Sequence, residues 1–268
     1  MWKLQTLTIK NMELSTDQIL QKVSEIASTY LQHKSGASFL DIGSGTGALI
    51  ALIKHQNPTL NSSACDYIDS LMALEGQKVD VVDLSHQSLP YPAASFDLVT
   101  CTEVIEHLEN YHRIVREVSN VLKPNGHIIF TTPNVLNLRS RLRFLFFGFW
   151  NMFGPLKIGR TETYSTEGHI TPVSFFYLAH AIGEAGLELK DLQFDKLQRG
   201  SILKMLLWYP LIQLYSFFAQ KHERRSFQTI DASNERLVKV MNGWKMLLGR
   251  TIIVVAQKPS QSEAPPRV

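Results

Sequence analysis

Residues 40–47 read LDIGSGTG, and this stretch decides the fold. It overlaps a short apolar run, residues 38–42, that predicts a buried strand. The loop after the strand contains Gly43, Gly45 and Gly47. Glycine adopts positive φ and lets the backbone approach a ligand closely, and the helix predicted next offers free N–H groups in its first turn. The stretch therefore predicts a ligand-binding turn between a strand and a helix. A tight turn that binds nothing is the alternative.

Strands and helices alternate along the rest of the chain. The apolar patterns predict strands at residues 38–42, 63–67, 79–84, 96–101, 127–132, 187–194 and 250–257. They predict helices at residues 16–31, 48–54, 111–122 and 171–185. This alternation is typical of an α/β fold, in which helices cover both faces of a mostly parallel sheet. Ligands of such sheets bind at the carboxyl ends of the strands, where the glycine loop falls.

Composition is that of an ordinary globular protein. The 268 residues are 44% hydrophobic and 19% charged, which suits one large α/β domain. We expect a helical cap at residues 1–36, a main domain at 37–258 with insertions at 137–168 and 198–230, and a disordered polar tail at 259–268. The formal net charge of +3 gives no indication of nucleic-acid binding.

Two features bear on the compartment. Cys65 and Cys101 lie in apolar runs and are interpreted as core residues in a reducing compartment, not as a disulfide. Residues 1–15 contain no apolar segment followed by a cleavage pattern, so we expect no secretory signal. The predicted location is the cytoplasm.

Aspartates stand at the ends of the first three predicted strands, at Asp41, Asp66 and Asp83. The Asp41 carboxylate could attract the ammonium group of a methionine moiety, directly or through water, and it would repel a pyrophosphate. Asp66 could accept hydrogen bonds from both ribose hydroxyls, and Asp83 from an adenine amino group with Leu84 packed on the ring. The set favours S-adenosylmethionine. For Asp66 or Asp83 taken alone, a loop-capping aspartate is the alternative.

The same loop fits a looser dinucleotide-binding pattern. Gly43, Gly45 and Ala48 satisfy G-x-G-x-x-G/A. Dinucleotide enzymes also place an acid at the end of the second strand, so Asp66 indicates a ribose without identifying the cofactor. An NAD-dependent oxidoreductase is therefore an alternative.

Three segments resemble class I S-adenosylmethionine-dependent methyltransferases. Residues 40–47 are similar to their motif I, residues 89–99 (LPYPAASFDLV) to their LPF-x-x-x-S-FD segment, and residues 122–127 (LKPNGH) to their LKPGG turn. The resemblance covers residues 37–133 well. It implies a Rossmann-like, seven-stranded sheet whose last strand is antiparallel, with S-adenosylmethionine as the cofactor. The implied cofactor contacts are Asp41, Gly43, Ser44, Gly45, Gly47, Asp66, Tyr67, Asp83, Leu84 and Thr102.

Residues 102–108 (TEVIEHL) contain several prospective metal ligands. If a helix begins near Glu103, then Glu103, Glu106 and His107 share one helical face. Two carboxylates and an imidazole so close together suit Mg²⁺, Mn²⁺ or Fe²⁺. His169 is the prospective fourth ligand.

This E-x-x-E-H pattern with a later histidine resembles the ubiquinone-biosynthesis O-methyltransferases and the small-RNA 2′-O-methyltransferases. The resemblance implies that Glu103, Glu106, His107 and His169 hold Mg²⁺ or a similar cation against hydroxyls of the substrate. Two alternatives are open. His107 or His169 could act as a general base, with Glu103 beside them in the catalytic set. The two acids could instead be solvated first-turn residues that complement a helix dipole.

Two apolar insertions bear on the acceptor. Residues 137–150 combine three arginines with a run of aromatic and aliphatic side chains, and residues 202–218 are almost as long as a membrane span. Lys204, Pro210 and Gln213 argue against a crossing. Basic and aromatic side chains together suit a helix that lies in a membrane interface. A substrate lid or ordinary core helices are the alternative.

The sequence thus predicts methyl transfer to an oxygen of an apolar or membrane-associated acceptor, either a small molecule or a lipid-like one, at the inner face of the membrane. A divalent cation would assist the transfer if the acidic cluster holds one. The alternatives are an NAD-dependent oxidoreductase and a non-catalytic membrane-associated binding module. RNA is disfavoured by the low net charge.

Overall fold

The computed structural model describes residues 17–32, 34–156, 158–159 and 168–260. Seven strands form one sheet: β1 Ser38–Ile42, β2 Asn61–Asp66, β3 Asp80–Val81, β4 Phe96–Thr102, β5 Leu122–Pro133, β6 Glu188–Phe194 and β7 Thr251–Gln257. Their order is β3-β2-β1-β4-β5-β7-β6. The first five strands run parallel, and β7 is antiparallel to both of its neighbours. The predicted Rossmann-like, mostly parallel sheet with an antiparallel last strand is confirmed.

One helix precedes β1, and the others lie between β1 and β2, β4 and β5, β5 and β6, and β6 and β7. They are α1 Asp17–Leu31, α2 Ala48–Gln56, α3 Tyr111–Val121, α4 Leu138–Phe147, α5 Phe175–Glu184, α6 Ile202–His222, α7 Glu235–Val240 and α8 Trp244–Leu248. Short 3-10 turns lie at Ile105–His107 and Arg199–Ser201, and a π-helical turn, Glu223–Phe227, continues α6.

The core has two layers because neighbouring side chains of a strand point to opposite faces of the sheet. In β1, Phe39 packs in the layer that holds α1 and α2, and Leu40 packs in the layer that holds α3 and α5. Burial on both faces explains the nearly continuous apolar runs of the central strands. Because α1 belongs to the first layer through Ile19 and Val23, the helix of the expected N-terminal cap shares the core of the main domain.

The third strand is shorter than predicted. We expected it at residues 79–84, but it holds only Asp80–Val81. It lies at the edge of the sheet, and the chain turns at Asp83, whose carbonyl accepts hydrogen bonds from the N–H groups of His86 and Gln87.

The helix expected from residue 171 begins four residues later, at Phe175. The N–H of Thr171 donates to the carbonyl of Glu106 rather than entering a helix. Pro172 also disfavours the helical conformation for the residue that precedes it.

Several predictions concern the termini and insertions. The two insertions contain α4 and α6. Cys65 and Cys101 are buried and free, as expected for core residues. Residues 1–16 and 261–268 lie outside the described residues. The expectation that the chain has no secretory signal and the expectation of a disordered tail therefore stay predictions.

Candidate active site

The glycine loop lies between the ends of β1 and β2. The N–H of Gly43 donates to the carbonyl of Cys65 over 2.9 Å. Gly43 has φ 73°, and a Cβ there would lie 2.2 Å from Cγ2 of Val104. Gly47, the N-cap of α2, has φ 80°, and a Cβ there would lie 2.6 Å from Sδ of Met72. Both positions need glycine for backbone conformation and for space.

Asp66, at the end of β2, forms a hydrogen bond with this loop. Its Oδ2 accepts from the N–H of Gly45 over 2.8 Å, and its Oδ1 accepts from the N–H of Tyr67 over 2.6 Å. The carboxylate is half-buried. Each carboxylate oxygen has a second lone pair, so these bonds leave Asp66 able to accept from a ribose.

Asp41 lies directly beneath the loop and is 2% exposed. Its Oδ1 accepts from the Thr100 hydroxyl over 2.7 Å. Burial raises the pKa of Asp41 to about 7, and the charge of Asp66 acts in the same direction, against the Thr100 hydrogen bond. A ligand with a positive ammonium group would favour the ionised form of Asp41.

Two buried hydroxyls at the loop and at the end of β4 have no hydrogen-bond partner among the described residues, Ser44 Oγ and Thr102 Oγ1. Both are among the predicted cofactor contacts. Buried polar atoms in native proteins are almost always paired. These two hydroxyls therefore fit a polar ligand beside the loop.

Asp83 is held by local contacts. Its Oδ1 accepts from the N–H of Ser85 over 3.0 Å, and its Oδ2 lies 2.8 Å from Nδ1 of His86. Slight burial acts to raise the pKa of Asp83, but the hydrogen bonds from His86 and Ser85 outweigh it and lower the pKa. Leu84 is 9% exposed and packs in the core. The structure therefore gives Asp83 a turn-capping role, and its adenine contact stays a prediction.

No helix begins at Glu103, so the condition for a helical face shared by Glu103, Glu106 and His107 is not met. Glu103 has φ 55°, which belongs to the left-handed region, and the following turn is the 3-10 turn Ile105–His107. The N–H of Glu103 donates to the hydroxyl of Thr131 over 3.0 Å, and its Oε1 accepts from that hydroxyl over 3.0 Å. These hydrogen bonds hold Glu103 against β5, so it does not share a helical face with Glu106 and His107. Burial raises the pKa of Glu103 to about 7.

His169 is brought to the 3-10 turn by the backbone that follows it. The N–H groups of Ile170 and Thr171 both donate to the carbonyl of Glu106 over 3.0 Å. Nδ1 of His107 lies 3.3 Å from the carbonyl of Gly168. The predicted proximity of His169 to this turn is therefore present, although 62 residues separate it from His107.

Glu106, His107 and His169 form a cluster in which one prospective ligand atom of each lies within 4.8 Å of the others. Glu103 is not part of this cluster. Glu106 is fully buried, and its carboxylate oxygens form no well-aligned hydrogen bond with the described residues, although its own N–H and the Thr132 hydroxyl are near enough to favour the ionised form. Burial, with the nearby charge of Glu103, raises the pKa of Glu106 well above its ordinary value. Burial lowers the pKa of His107, and it lowers the pKa of His169 to about 4.

A cavity of about 660 Å³ lies beside Glu103 and His169. It is distinct from the glycine loop, which contributes no lining residue. Its wall combines the loop after β5, the starts of α4 and α6, and the segments around β6 and β7. This placement makes the cavity the candidate acceptor pocket.

Sequence reasoning missed several residues of this pocket: Asn134, Lys196, Ser201 and Arg250. They come from separate loops around β5, β6 and β7, and no local pattern marks them. The sequence analysis named Lys204 only as a residue that argues against a membrane span. Residues 160–167, which include Tyr164 near the expected substrate lid, lie outside the described residues.

Comparisons with known proteins agree with this geometry. A family model described as a methyltransferase domain matches residues 12–192. Over 165 residues the chain is 28% identical to the ubiquinone biosynthesis O-methyltransferase of Acinetobacter baylyi. That match covers 59% of this chain and 66% of the relative, so it spans slightly less than two thirds of the relative's length.

Solved structures share the fold. A SAM-dependent methyltransferase from Archaeoglobus fulgidus aligns with a TM-score of 0.53 at 17% identity, covering 89% of this chain and 94% of that one. The [4+2]-cyclase SpnF aligns with a TM-score of 0.52 at 18% identity, covering 89% and 80%. Likeness at this identity shows the fold alone.

The family match spans more than half of the chain and includes the glycine loop, Asp66, Asp83 and the Glu103–His107 region. It decides between the cofactors that the glycine spacing left open, in favour of S-adenosylmethionine over NAD. The chain belongs to the methyltransferase domain family and is a class I S-adenosylmethionine-dependent methyltransferase.

Proposed function

We propose that the enzyme methylates an oxygen atom of an apolar acceptor bound in the cavity beside Glu103 and His169. The observation that carries this proposal is the position of the cavity. It adjoins the ends of β4 and β5, next to the predicted cofactor contact Thr102, and α4 and α6 both contribute to its wall. Both helices expose large apolar side chains. The Acinetobacter relative, which is named as an O-methyltransferase, also supports oxygen as the acceptor.

The chemistry needs a positioned acceptor and a destination for one proton. A lone pair of the acceptor oxygen attacks the sulfonium methyl carbon, the carbon–sulfur bond breaks, and S-adenosylhomocysteine leaves. Glu103 lines the cavity, and its pKa of about 7 suits a group that takes the hydroxyl proton near neutral pH. His169 also lines the cavity, but its pKa of about 4 makes it a weak base, better suited to orient the hydroxyl or to bind a cation.

We propose further that Glu106, His107 and His169 hold a divalent cation. A buried carboxylate without a partner is costly in its ionised form, and a bound cation would remove that cost. The imidazoles are neutral at pH 7 and therefore able to ligate. Two imidazoles and one carboxylate favour Fe²⁺ or Mn²⁺ over Mg²⁺. Such an ion would lower the pKa of an acceptor hydroxyl and orient it.

Calorimetry and a transfer screen test the main proposal. We expect S-adenosylhomocysteine to bind and radiolabelled methyl groups to reach phenols or alcohols that carry alkyl or prenyl chains. Glu103→Gln should lower kcat and leave cofactor affinity unchanged. Transfer to amines or thiols alone would contradict oxygen as the acceptor atom.

Elemental analysis of the purified enzyme tests the cation. His169→Ala should remove bound metal and chelator-sensitive activity, and the exposed His180→Ala on α5 is the matched control. Metal-free wild-type protein with full activity in EDTA would refute the cation while leaving methyl transfer intact.

We also propose that α6 rests on a membrane surface. Within the described residues, the stretch Arg199–Phe227 is long and apolar enough to cross a bilayer. An 18-residue window in it has a mean hydropathy of 1.3, and 6% of that window is buried. An exposed stripe runs along the helix at the spacing of one helical face, through Leu203, Leu207, Leu211, Leu214 and Phe218. Between residues 199 and 225 there are five basic residues and one acid, which suits an anionic leaflet.

The opposite side of α6 is tied to the protein. Gln213 Nε2 donates to the carbonyl of Asn242 over 2.7 Å, and Nδ2 of Asn242 donates to the buried hydroxyl of Ser216 over 2.8 Å. A helix held at its middle in this way would have to break these bonds to cross a bilayer. The contacts therefore favour a helix that lies in the interface.

A further inference from the structure

The acceptor cavity carries a concentration of positive charge. Four basic side chains line it, Arg139, Lys196, Lys204 and Arg250. Arg250 is paired, because its Nε donates to Oδ2 of Asp195 over 2.6 Å. The other three form no ion pair or side-chain hydrogen bond with any described residue. We call Arg139, Lys196 and Lys204 the cation trio.

Two members of the cation trio occupy electrostatically unfavourable positions. Arg139 lies in the first turn of α4, and Lys204 lies in the first turn of α6. The N-terminus of a helix carries partial positive charge, so a cation there is repelled and an anion is stabilised. Neither first turn contains an acidic residue that would offset this. The starts of two helices and three cations therefore face one cavity, in which Glu103 is the only acidic side chain among the described lining residues.

A largely buried serine on the cavity wall also points to a ligand in the same place. Ser201 lines the cavity, is 5% exposed, and is the N-cap of α6. Its side chain makes no capping hydrogen bond, and its hydroxyl has no hydrogen-bond partner among the described residues. An N-cap serine ordinarily accepts from the helix backbone. A hydroxyl that lacks this bond and lines a cavity is able to bind a ligand oxygen.

We infer that the acceptor is an anionic amphiphile, whose phosphate or carboxylate group binds the cation trio and Ser201 while its apolar chain lies against α4 and α6. The apolar side chains of the two helices lie outside the cavity wall: Phe146 is 77% exposed on α4, and Leu203, which begins the stripe that we place on the membrane, is 79% exposed on α6. This inference rests on the proposed function and specifies its substrate class. The cation trio is solvent-exposed, and a neutral apolar acceptor would form no ion pair with it.

Binding of defined probes tests the inference without turnover. Calorimetry would use dodecyl phosphate below its micellar concentration, with dodecanol and inorganic phosphate as the two part-molecules. We expect dodecyl phosphate to bind at least about tenfold more tightly than either part, and its affinity to fall with added NaCl. If dodecanol binds as tightly as dodecyl phosphate, the acceptor needs no anionic group and the inference is wrong. If inorganic phosphate binds as tightly, the acceptor needs no apolar chain and the inference is also wrong.

Two triple variants test whether the cation trio binds the anionic group of the probe. The triple variant R139Q/K196Q/K204Q should lose this preference and retain affinity for S-adenosylhomocysteine. The control K78Q/R116Q/R236Q removes three exposed charges that do not line the cavity, and it should bind like the wild type. Equal probe affinity in both triple variants would overturn the inference.

Vesicles distinguish a soluble amphiphile from a bilayer headgroup. If the cation trio serves the pocket, the triple variant should lose dodecyl phosphate binding even without vesicles. If it loses binding only to phosphatidylglycerol vesicles, the trio serves the membrane and the inference is wrong. Absence of S-adenosylhomocysteine binding in the wild type would instead refute the proposed function itself.

Discussion

The hydroxyl of Thr100 donates a 2.7 Å hydrogen bond to the buried carboxyl group of Asp41, and burial nevertheless raises the pKa of Asp41 to about 7. An ordinary aspartate has a pKa of 3.8. Between these values the folded protein without cofactor binds a proton that the unfolded chain has released, so folding stability falls as pH rises from about 4 to 7 and is level above 7. We expect this residue to lower the free energy of unfolding by roughly 4 kcal/mol over that window.

Urea denaturation of the wild type and Asp41→Asn across this pH range measures the effect. Asparagine keeps the shape and cannot ionise. The difference in unfolding free energy between the two proteins should therefore change with pH below 7 and stay constant above it. A difference that is constant throughout would contradict the raised pKa.

Cofactor binding should show the opposite dependence on pH. The ammonium group of the methionine moiety favours ionised Asp41, so binding below pH 7 should release a proton, and affinity for S-adenosylhomocysteine should rise as pH increases from 5.5 to 7. Calorimetry at pH 6 in buffers with different ionisation enthalpies counts that proton. The same proton release from Asp41→Asn would assign it to another group.

Alanine at Gly43 should abolish cofactor binding and destabilise the fold by about 3 kcal/mol or more, because its Cβ would lie 2.2 Å from Val104 Cγ2. Gly36→Ala separates the two causes. Gly36 has φ 69° with no atom near its Cβ position, so only backbone strain applies there, about 1 kcal/mol. The double variant G43A/V104A should recover part of the loss. Thermal melts that rank G36A and G43A equally would refute the steric argument.

The two roles of Asp83 can be separated through its partner. Asp83→Ala and His86→Ala both remove the contact between the Asp83 carboxylate and the His86 ring. If Asp83 also binds adenine, D83A should lower the affinity for S-adenosylhomocysteine about tenfold, whereas H86A should have little effect on it. Equal affinities of the two variants would leave Asp83 with turn capping alone.

Leu207→Glu should reduce flotation with phosphatidylglycerol vesicles by about tenfold or more, since a charged side chain on the exposed stripe of α6 resists insertion. Val81→Glu, on the edge strand β3, is the matched control, because both side chains are exposed, Leu207 by 69% and Val81 by 58%. If α6 instead contacts a second protein chain, L207E would change the oligomeric state without lipid. Flotation of L207E equal to that of the wild type would contradict membrane docking.

Local patterns predicted the sheet and the glycine loop because strand burial and tight turns are encoded by neighbouring residues. The left-handed backbone conformation of Glu103 was not predicted. Tertiary contacts determine it, through the hydrogen bond to β5 and the close approach of Val104 to Gly43. His169 was named as the prospective fourth ligand, and the resemblance supported it, but only the fold places it at the 3-10 turn. The cation trio could not be assembled from sequence, since Lys196 and Arg139 meet only through the fold.

Asn242 holds both apolar helices with one side chain: its Oδ1 accepts from Arg141 of α4, and its Nδ2 donates to Ser216 of α6. The two helices that contribute to the pocket wall are therefore joined through one side chain. If α6 rests on a membrane as we propose, we expect the lateral pressure of the lipids to act on both helices. Turnover would then respond to how tightly the lipids are packed, even at constant surface coverage.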